Sequence, residues 1–260
     1  MMDTKLENIK KLIDHLKIDA EHIDYKSITV MTDDSRDVSV GAIFCAYPGE
    51  STDGRRYIRQ ACERGASIIL YEAKCAEDFS VVSESFTVTA VAIDNLREQV
   101  SELAGLFYGC PANQLEMLGV TGTNGKTSVS YLYAQLLTQL GKLTALIGTN
   151  GAGEYGDLQK NQNTTPGPIE LQRLLHQFSS QQITDVAMEV SSHSLVQDRL
   201  SAVKIDTAVY TNLTQDHLDY HRTMENYAAA KAKLINQPGL KNLIINNDDS
   251  FCSSLKKTSG

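Results

Sequence analysis

What the chain lacks narrows its class before any motif is read. No segment approaches ~18 consecutive apolar residues, so no transmembrane helix is expected. The opening Met1-Met2-Asp3-Thr4-Lys5-Leu6-Glu7 has no apolar core and does not read as a signal peptide, so a cytoplasmic protein is expected. The five cysteines (Cys45, Cys62, Cys75, Cys110 and Cys252) form no CxxC pair. That spacing favours free thiols over disulfides or a zinc site. Basic residues are outnumbered, 24 against 32 acids, for a net charge of −8. A general nucleic-acid binder is therefore disfavoured, although a local phosphate site is not. There is no internal repeat and no low-complexity tract.

What is present is an ordinary globular composition, 42% hydrophobic and 22% charged over 260 residues. Leu6, Ile9, Leu12, Ile13 and Leu16 fall at helical spacing. Strands are expected over Val38–Tyr47, Ser67–Tyr71 and Phe86–Ile93, with a helix over Gly54–Arg64. This reads as a small α/β domain, residues 1–95. Leu96, Val100, Leu103 and Phe107 mark a further helix, and the chemistry changes across residues 94–113.

Residues 96–260 read as a second domain built on a strand–loop–helix rhythm. Strands are expected over Leu115–Val120, Leu143–Ile147, Ile183–Val190, Ile205–Thr211 and Asn242–Asn246. Helices are expected over Lys126–Leu140, from Pro168 to about Ser179, over Thr223–Ile235 and over Ser250–Lys257. Residues 150–168 read as a long loop or hairpin. The alternation implies α/β architecture with a mostly parallel sheet covered on both faces. The rhythm is unfinished at Gly260, so the folding unit is expected to continue.

The sharpest motif is Gly119-Val120-Thr121-Gly122-Thr123-Asn124-Gly125-Lys126-Thr127-Ser128, between a strand and a helix. Glycines let backbone N–H groups converge on phosphate, and the helix N-terminus adds positive charge. Lys126 would reach the β- and γ-phosphates of a nucleotide, and the Thr127 hydroxyl would bind Mg²⁺. Val120 stands where the strict phosphate-loop pattern has glycine, so this is a variant loop.

In open α/β sheets, ligands gather beyond the carboxyl ends of the strands. Three strands end there in polar clusters: residues 188–193, 211–219 and 246–249. Glu189 suits a Mg²⁺ ligand or a helix cap. His217 suits a metal or phosphate contact, or a hydrogen-bonded loop histidine. Lys231, by spacing alone, reads as a solvated surface lysine. Asn163, Thr164 and Thr165 offer short polar groups in a loop. Gln197 and Arg199 follow the Glu189 cluster, and Arg199 suits bidentate binding of phosphate or carboxylate.

Together these stretches resemble the Mur ligases, the ATP-dependent enzymes of peptidoglycan precursor synthesis. Thr121-Gly122-Thr123-Asn124-Gly125-Lys126-Thr127 carries the likeness, though folylpolyglutamate ligases have a similar loop. Residues 188–199 and 211–221, with Tyr227-Ala228-Ala229-Ala230-Lys231, resemble the members that add a diamino acid as third residue. Asp34-Ser35-Arg36 and Asp53-Gly54-Arg55-Arg56-Tyr57-Ile58 resemble their uridine-nucleotide domain.

The resemblance implies an ATP-binding central domain holding Gly122 to Ser128 against the nucleotide. Thr127 and Glu189 would hold one Mg²⁺; His217 and a carbamylated Lys231 would serve a second. Ser35, Glu50, Ser51 and Thr52 would touch the uridine nucleotide. Asn163, Thr164, Thr165, Ser191, Gln197 and Arg199 would contact the substrate UDP-N-acetylmuramoyl-L-alanyl-D-glutamate. The other partner would be a diamino acid, meso-diaminopimelate rather than L-lysine on the Gln197-Asp198-Arg199 context. A monomer is expected, with the family's third, amino-acid-binding domain absent from these residues. Two further readings remain open at this point, a non-catalytic nucleotide-binding protein and a folylpolyglutamate-type ligase.

Overall fold

The structure is a computed structural model that describes residues 2–19, 23–74, 86, 88–161 and 163–255. Cys75, residue 87 within the expected strand Phe86–Ile93, and Lys256 and Lys257 of the last expected helix lie outside the described residues. The chain divides into two compact units, Met1–Cys110 with Pro168–Glu170, and Pro111–Gly167 with Leu171–Gly260.

The first unit is a four-stranded parallel sheet in sequential order, β1 (Val30–Thr32), β2 (Ala42–Ala46), β3 (Ile68–Glu72) and β4 (Thr89–Ile93). Strand periodicity sorts β2 between two cores. Ile43 and Cys45 face helices α1 (Met2–His15) and α3 (Leu96–Tyr108), against Ile9, Leu12, Val100 and Leu103. Ala42, Phe44 and Ala46 face the other way, against Ile58, Ala61 and Cys62 of α2 (Ile58–Glu63). A division at 95/96 assigns α3 to the second unit; here its apolar stripe is shared with α1, so it belongs to the first. The strand expected over Val38–Tyr47 is only Ala42–Ala46, and β1, three residues long, is too short to leave an alternating pattern.

Helix α3 is capped from outside its own sequence. Its N-cap residue, Asn95, has φ +54° and makes no side-chain cap. The carboxylate of Glu72, at the end of β3, accepts instead from the backbone N–H of Leu96 (2.8 Å), Asn95 (3.1 Å) and Lys74 (3.1 Å). A carboxylate at that end also answers the helix dipole.

The second unit is a seven-stranded sheet. Its strands are β5 (Glu116–Thr121), β6 (Thr144–Gly148), β7 (Gly151–Glu154), β8 (Asp157–Gln159), β9 (Asp185–Glu189), β10 (Thr207–Tyr210) and β11 (Asn242–Ile245). They lie in the order β11-β10-β5-β9-β6-β7-β8. The five strands from β11 to β6 are parallel, and the hairpin β7–β8 adds an antiparallel edge. Met117, Ala145, Val186 and Met188 point into a large core with Leu171, Leu175 and Phe178 of α5 (Pro168–Ser180). Leu118, Val120, Leu146 and Ala187 point to the opposite face, with Ala134 of α4 (Lys126–Gln139). Cover on that face is incomplete, because Leu118, Val129, Tyr133, Val209 and Ile244 line an open hollow.

The chain runs from β5 to β6 on one side, while β10 and β11 lie on the other. The carboxyl ends of β5 and β10 therefore flank the switch point where ligands collect. The described residues of the unit also form the short helices α6 (Ser192–Val196), α7 (Leu218–His221), α8 (Met224–Ala232) and α9 (Ser250–Leu255).

Glu72→Gln leaves one acceptor oxygen for three N–H groups. It should lower the stability of the first unit by about 1–3 kcal/mol in urea titration; an unchanged midpoint would refute the cap.

Candidate active site

Strand β5 ends at Thr121, the chain turns through residues 122–125, and α4 begins at Lys126. The turn is tight against β10. A side chain at Gly122 (φ +141°) would put its Cβ 1.9 Å from Oγ1 of Thr211, so only glycine fits. The first-turn N–H groups of α4 have no acceptor within the helix and carry about half a positive charge.

Two lysines converge on this turn. Lys126 Nζ donates to the carbonyls of Gly122 and Thr123, both at 3.0 Å. Lys231 of α8 donates to the same Gly122 carbonyl at 2.7 Å, and its ammonium lies 4.7 Å from the Tyr227 ring centroid. Lys231 is 1% exposed, which overturns its reading as a solvated lysine. A helix of small residues, Ala228, Ala229 and Ala230, hid that burial from the sequence. Burial pulls the Lys231 amine down to about 7; the Lys126 charge adds to this and Asp216 opposes it. Lys126 is lowered mainly by burial, against Glu189 and Asp216.

Opposite the lysines, Thr127 Oγ1 donates to Glu189 Oε2 at 2.9 Å. Glu189, at the end of β9, is 2% exposed. It caps no helix. Its Oε1 accepts from Thr149 N (2.9 Å), and Oε2 accepts from Thr149 Oγ1 (3.2 Å). The end of β6 is cut away to admit it, since a Cβ on Gly148 would lie 2.2 Å from Glu189 Oε1. A hydroxyl and a carboxylate held side by side suit Mg²⁺, a hard cation that keeps phosphate and water oxygens for its other positions. Among the described residues no group of three or more His, Cys, Asp or Glu side chains is placed to hold a metal by itself.

His217 has φ +50° at the start of α7, half-exposed, with Nε2 3.5 Å from Asp216 Oδ2. Its ring meets that of His193 (4.9 Å between centroids) and lies 6.1 Å from that of Tyr227. The structure adds His193, Tyr220 and His221 to this neighbourhood. Tyr220 packs against His193 with ring centroids 4.2 Å apart and planes tilted by 43°, and buried His221 shares a 2.9 Å hydrogen bond with Ser192 Oγ. Burial, then His193, His217 and Lys231, hold His221 below the usual histidine value. The His217/His221 spacing of four and the polar cluster 188–193 at another strand end were the available signals, but neither shows that the rings meet.

The remaining expected residues of this unit are largely engaged with one another. Thr165 is 1% exposed; its hydroxyl donates to the Glu189 carbonyl (2.8 Å) and accepts from Ser191 N (3.1 Å). Ser191 Oγ caps α6 through Ser194 N. Arg199 donates to the Thr165 carbonyl (2.7 Å) and to Gln197 Oε1 (2.7 Å), and Gln197 reaches Tyr220 OH (3.3 Å). Thr164 pairs with Thr149 (3.2 Å), and Asn163 is exposed.

The first unit repeats one local device. Asp34 accepts from Arg36 N and forks with the Arg36 guanidinium at 2.9 and 2.5 Å. Asp53 does the same with Arg55, at 3.0 and 2.7 Å. The arginine beside each carboxyl holds it below the usual aspartate value. Ser35 is buried and donates to Gln60 Oε1 (2.8 Å). Glu50 lies 3.9 Å from Arg97, and Thr52 pairs with Tyr57 OH; Ser51 is exposed.

Two family models match this chain, the Mur ligase middle domain over residues 120–260 and the Mur ligase family catalytic domain over residues 27–108. The chain belongs to the Mur ligase family. The middle-domain match takes in Gly122 to Ser128, Glu189, His217 and Lys231, and the other takes in Ser35 and Glu50 to Thr52. The chain is 48% identical over 224 residues to a UDP-N-acetylmuramoyl-L-alanyl-D-glutamate–2,6-diaminopimelate ligase of Pseudomonas putida. It is 43% identical to the Neisseria meningitidis ligase of the same name. It spans less than half of these relatives, 86% of this chain matching 44% of the first. A solved diaminopimelate ligase superposes with TM-score 0.77 at 29% identity, over 95% of this chain and 49% of that one. Thermotoga maritima MurF, solved with ADP, shares the fold at TM-score 0.58 and 22% identity, over 88% and 48%.

The low amine value of Lys231 sets a sign for stability. Between about 7 and the ordinary lysine value of 10.5, the unfolded chain holds a proton on Lys231 that the folded chain lacks. Folding stability from this group therefore rises with pH across that window. The stability difference between the unmutated chain and Lys231→Met, followed by urea titration from pH 7 to 10, should climb in the lysine chain's favour. A flat difference would mean the amine titrates normally.

Proposed function

We propose that this chain is the uridine-nucleotide-binding and phosphate-binding part of an ATP-dependent ligase. The ligase joins a diamino acid, diaminopimelate, to UDP-N-acetylmuramoyl-L-alanyl-D-glutamate. The observation that carries this reading is the convergence of Lys126 and Lys231 on the Gly122 carbonyl, with Thr127 at the start of α4 bonded to Glu189. That convergence occurs in a chain 43–48% identical to diaminopimelate ligases.

In this reading the N–H groups at the start of α4 and the Lys126 ammonium hold the ATP phosphates. Lys126 leaves the Gly122 and Thr123 carbonyls to do so. Thr127 and Glu189 would hold one Mg²⁺, and His217 with Lys231 would serve a second. Mg²⁺ held there would supply positive charge against the transferring phosphoryl group. The substrate's D-glutamyl carboxylate takes the γ-phosphoryl group and ADP leaves. The amine of the diamino acid then attacks that carbonyl carbon, a peptide bond forms and phosphate departs. An amine that is half neutral near pH 7 is the form that combines with CO₂, so Lys231 is suited to carbamylation. A carbamate there replaces a cation with anionic oxygen, the ligand Mg²⁺ prefers. Ser35 and residues 50–52 serve the uridine nucleotide, and residues 163–165, Ser191, Gln197 and Arg199 serve the sugar-peptide. We place this work in the cytoplasm. Among the described residues no helix is long and apolar enough to cross a membrane.

Thermal unfolding of the chain tests the proposal. UDP-N-acetylmuramoyl-L-alanyl-D-glutamate at 100 times its Kd should add about 2.7 kcal/mol and raise the midpoint by several degrees. Mg-ATP should also raise it, but not in Lys126→Ala. A melt indifferent to the dipeptide but raised by a folate would point to a folylpolyglutamate-type ligase.

A further inference from the structure

The loops that follow β5 and β10 are fastened to each other by side chains as well as by the sheet. The strands are parallel neighbours, with Thr121 opposite Tyr210. Beyond them, Thr123 N donates to the Asn212 carbonyl (2.9 Å). The Asn212 carboxamide then engages both backbone groups of a single residue. Its Oδ1 accepts from Asn124 N (2.9 Å), and its Nδ2 donates to the Asn124 carbonyl (3.1 Å). Thr211 Oγ1 donates to that same carbonyl (2.6 Å). Thr123 Oγ1 donates to the Thr214 carbonyl (3.1 Å) and accepts from Thr214 N (3.0 Å). The far side of the fastening loop is itself pinned. Asp249 Oδ2 accepts from Leu213 N (3.1 Å), while Oδ1 accepts from Cys252 N (2.9 Å) at the start of α9.

These bonds have a consequence for the phosphate site. The N–H groups of Thr123 and Asn124 are spent on Asn212, so they do not face a ligand. Phosphate contacts fall instead to the amides from Gly125 onward. The Gly125 N–H shares one peptide plane with the Asn124 carbonyl, which Asn212 Nδ2 and Thr211 Oγ1 hold, while Asn212 Oδ1 holds the Asn124 N–H of the peptide before it. A loop left free must be ordered when its ligand arrives, which weakens binding; a loop held beforehand avoids that loss. Asparagine suits the task because one short head carries a donor and an acceptor together. Aspartate lacks the donor, and alanine lacks both.

From this geometry we infer that Asn212 is a positioning residue for the nucleotide: it holds the 122–125 turn in phosphate-binding shape from the neighbouring strand end. The inference rests on the reading that this turn binds ATP phosphates.

The test uses the 260-residue chain and Asn212→Ala, with three readouts. Amide hydrogen exchange without nucleotide should speed up at Asn124 in the variant. Mg-ATP affinity, by calorimetry, should fall about tenfold, the scale of one to two lost hydrogen bonds. Affinity for UDP-N-acetylmuramoyl-L-alanyl-D-glutamate should not change. Should the alanine chain lose its cooperative melt, Asn212→Ser takes its place in the same measurements. Unchanged exchange at Asn124, or faster exchange with Mg-ATP affinity intact, overturns the positioning role and leaves the nucleotide reading standing. Failure of the nucleotide reading looks different: the unmutated chain then takes up no Mg-ATP, which overturns both.

Discussion

The carbonyl of Gly122 accepts hydrogen bonds from the side chains of two lysines, and the rest of the second unit's site is arranged around that pair of amines. Like charges held together in a poorly solvated place are costly. The structure offsets the cost with a loop carbonyl, a tyrosine face beside Lys231, and the carboxylates of Glu189 and Asp216. Phosphate groups would answer the same charge more fully. The turn also lies so close to the end of β10 that a Cβ at residue 122 would meet Thr211 Oγ1 at 1.9 Å, which is why residue 122 is glycine.

The negative side of the site obeys the same economy of partners. Glu189 is buried at the end of β9, yet each of its oxygens accepts from Thr127 or Thr149. Its backbone carbonyl holds Thr165, whose hydroxyl in turn accepts from Ser191. A shift of any strand end therefore moves several polar partners together. In the first unit the comparable device is Glu72, which ends β3 and caps α3 from 24 residues away.

Much of this was legible in the residues. Strand and helix periods located most elements of the second unit to within two or three residues, because long amphipathic or fully apolar segments leave a clear pattern. Gly122 to Thr127 announced a phosphate loop, since the chemistry requires those residue types at that spacing. Short elements were not legible: β1 and α7 have too few residues to show a period. Nor was the membership of α3 in the first unit, which depends on the face that meets α1.

What the sequence determined alone was local: which segments bury one face, where the phosphate loop lies, and a family resemblance carried by contiguous motifs. What only the tertiary structure decided was which distant residues share a partner. Lys231 sits among alanines and reads as a surface lysine until α8 packs and brings it, over 109 residues, to the Gly122 carbonyl. The Asn212 clamp on Asn124 and the His193–His217 contact are of the same kind. Burial, shifted proton affinity and shared hydrogen bonds belong to pairs of residues joined by folding, and a linear pattern contains only one member of each pair at a time.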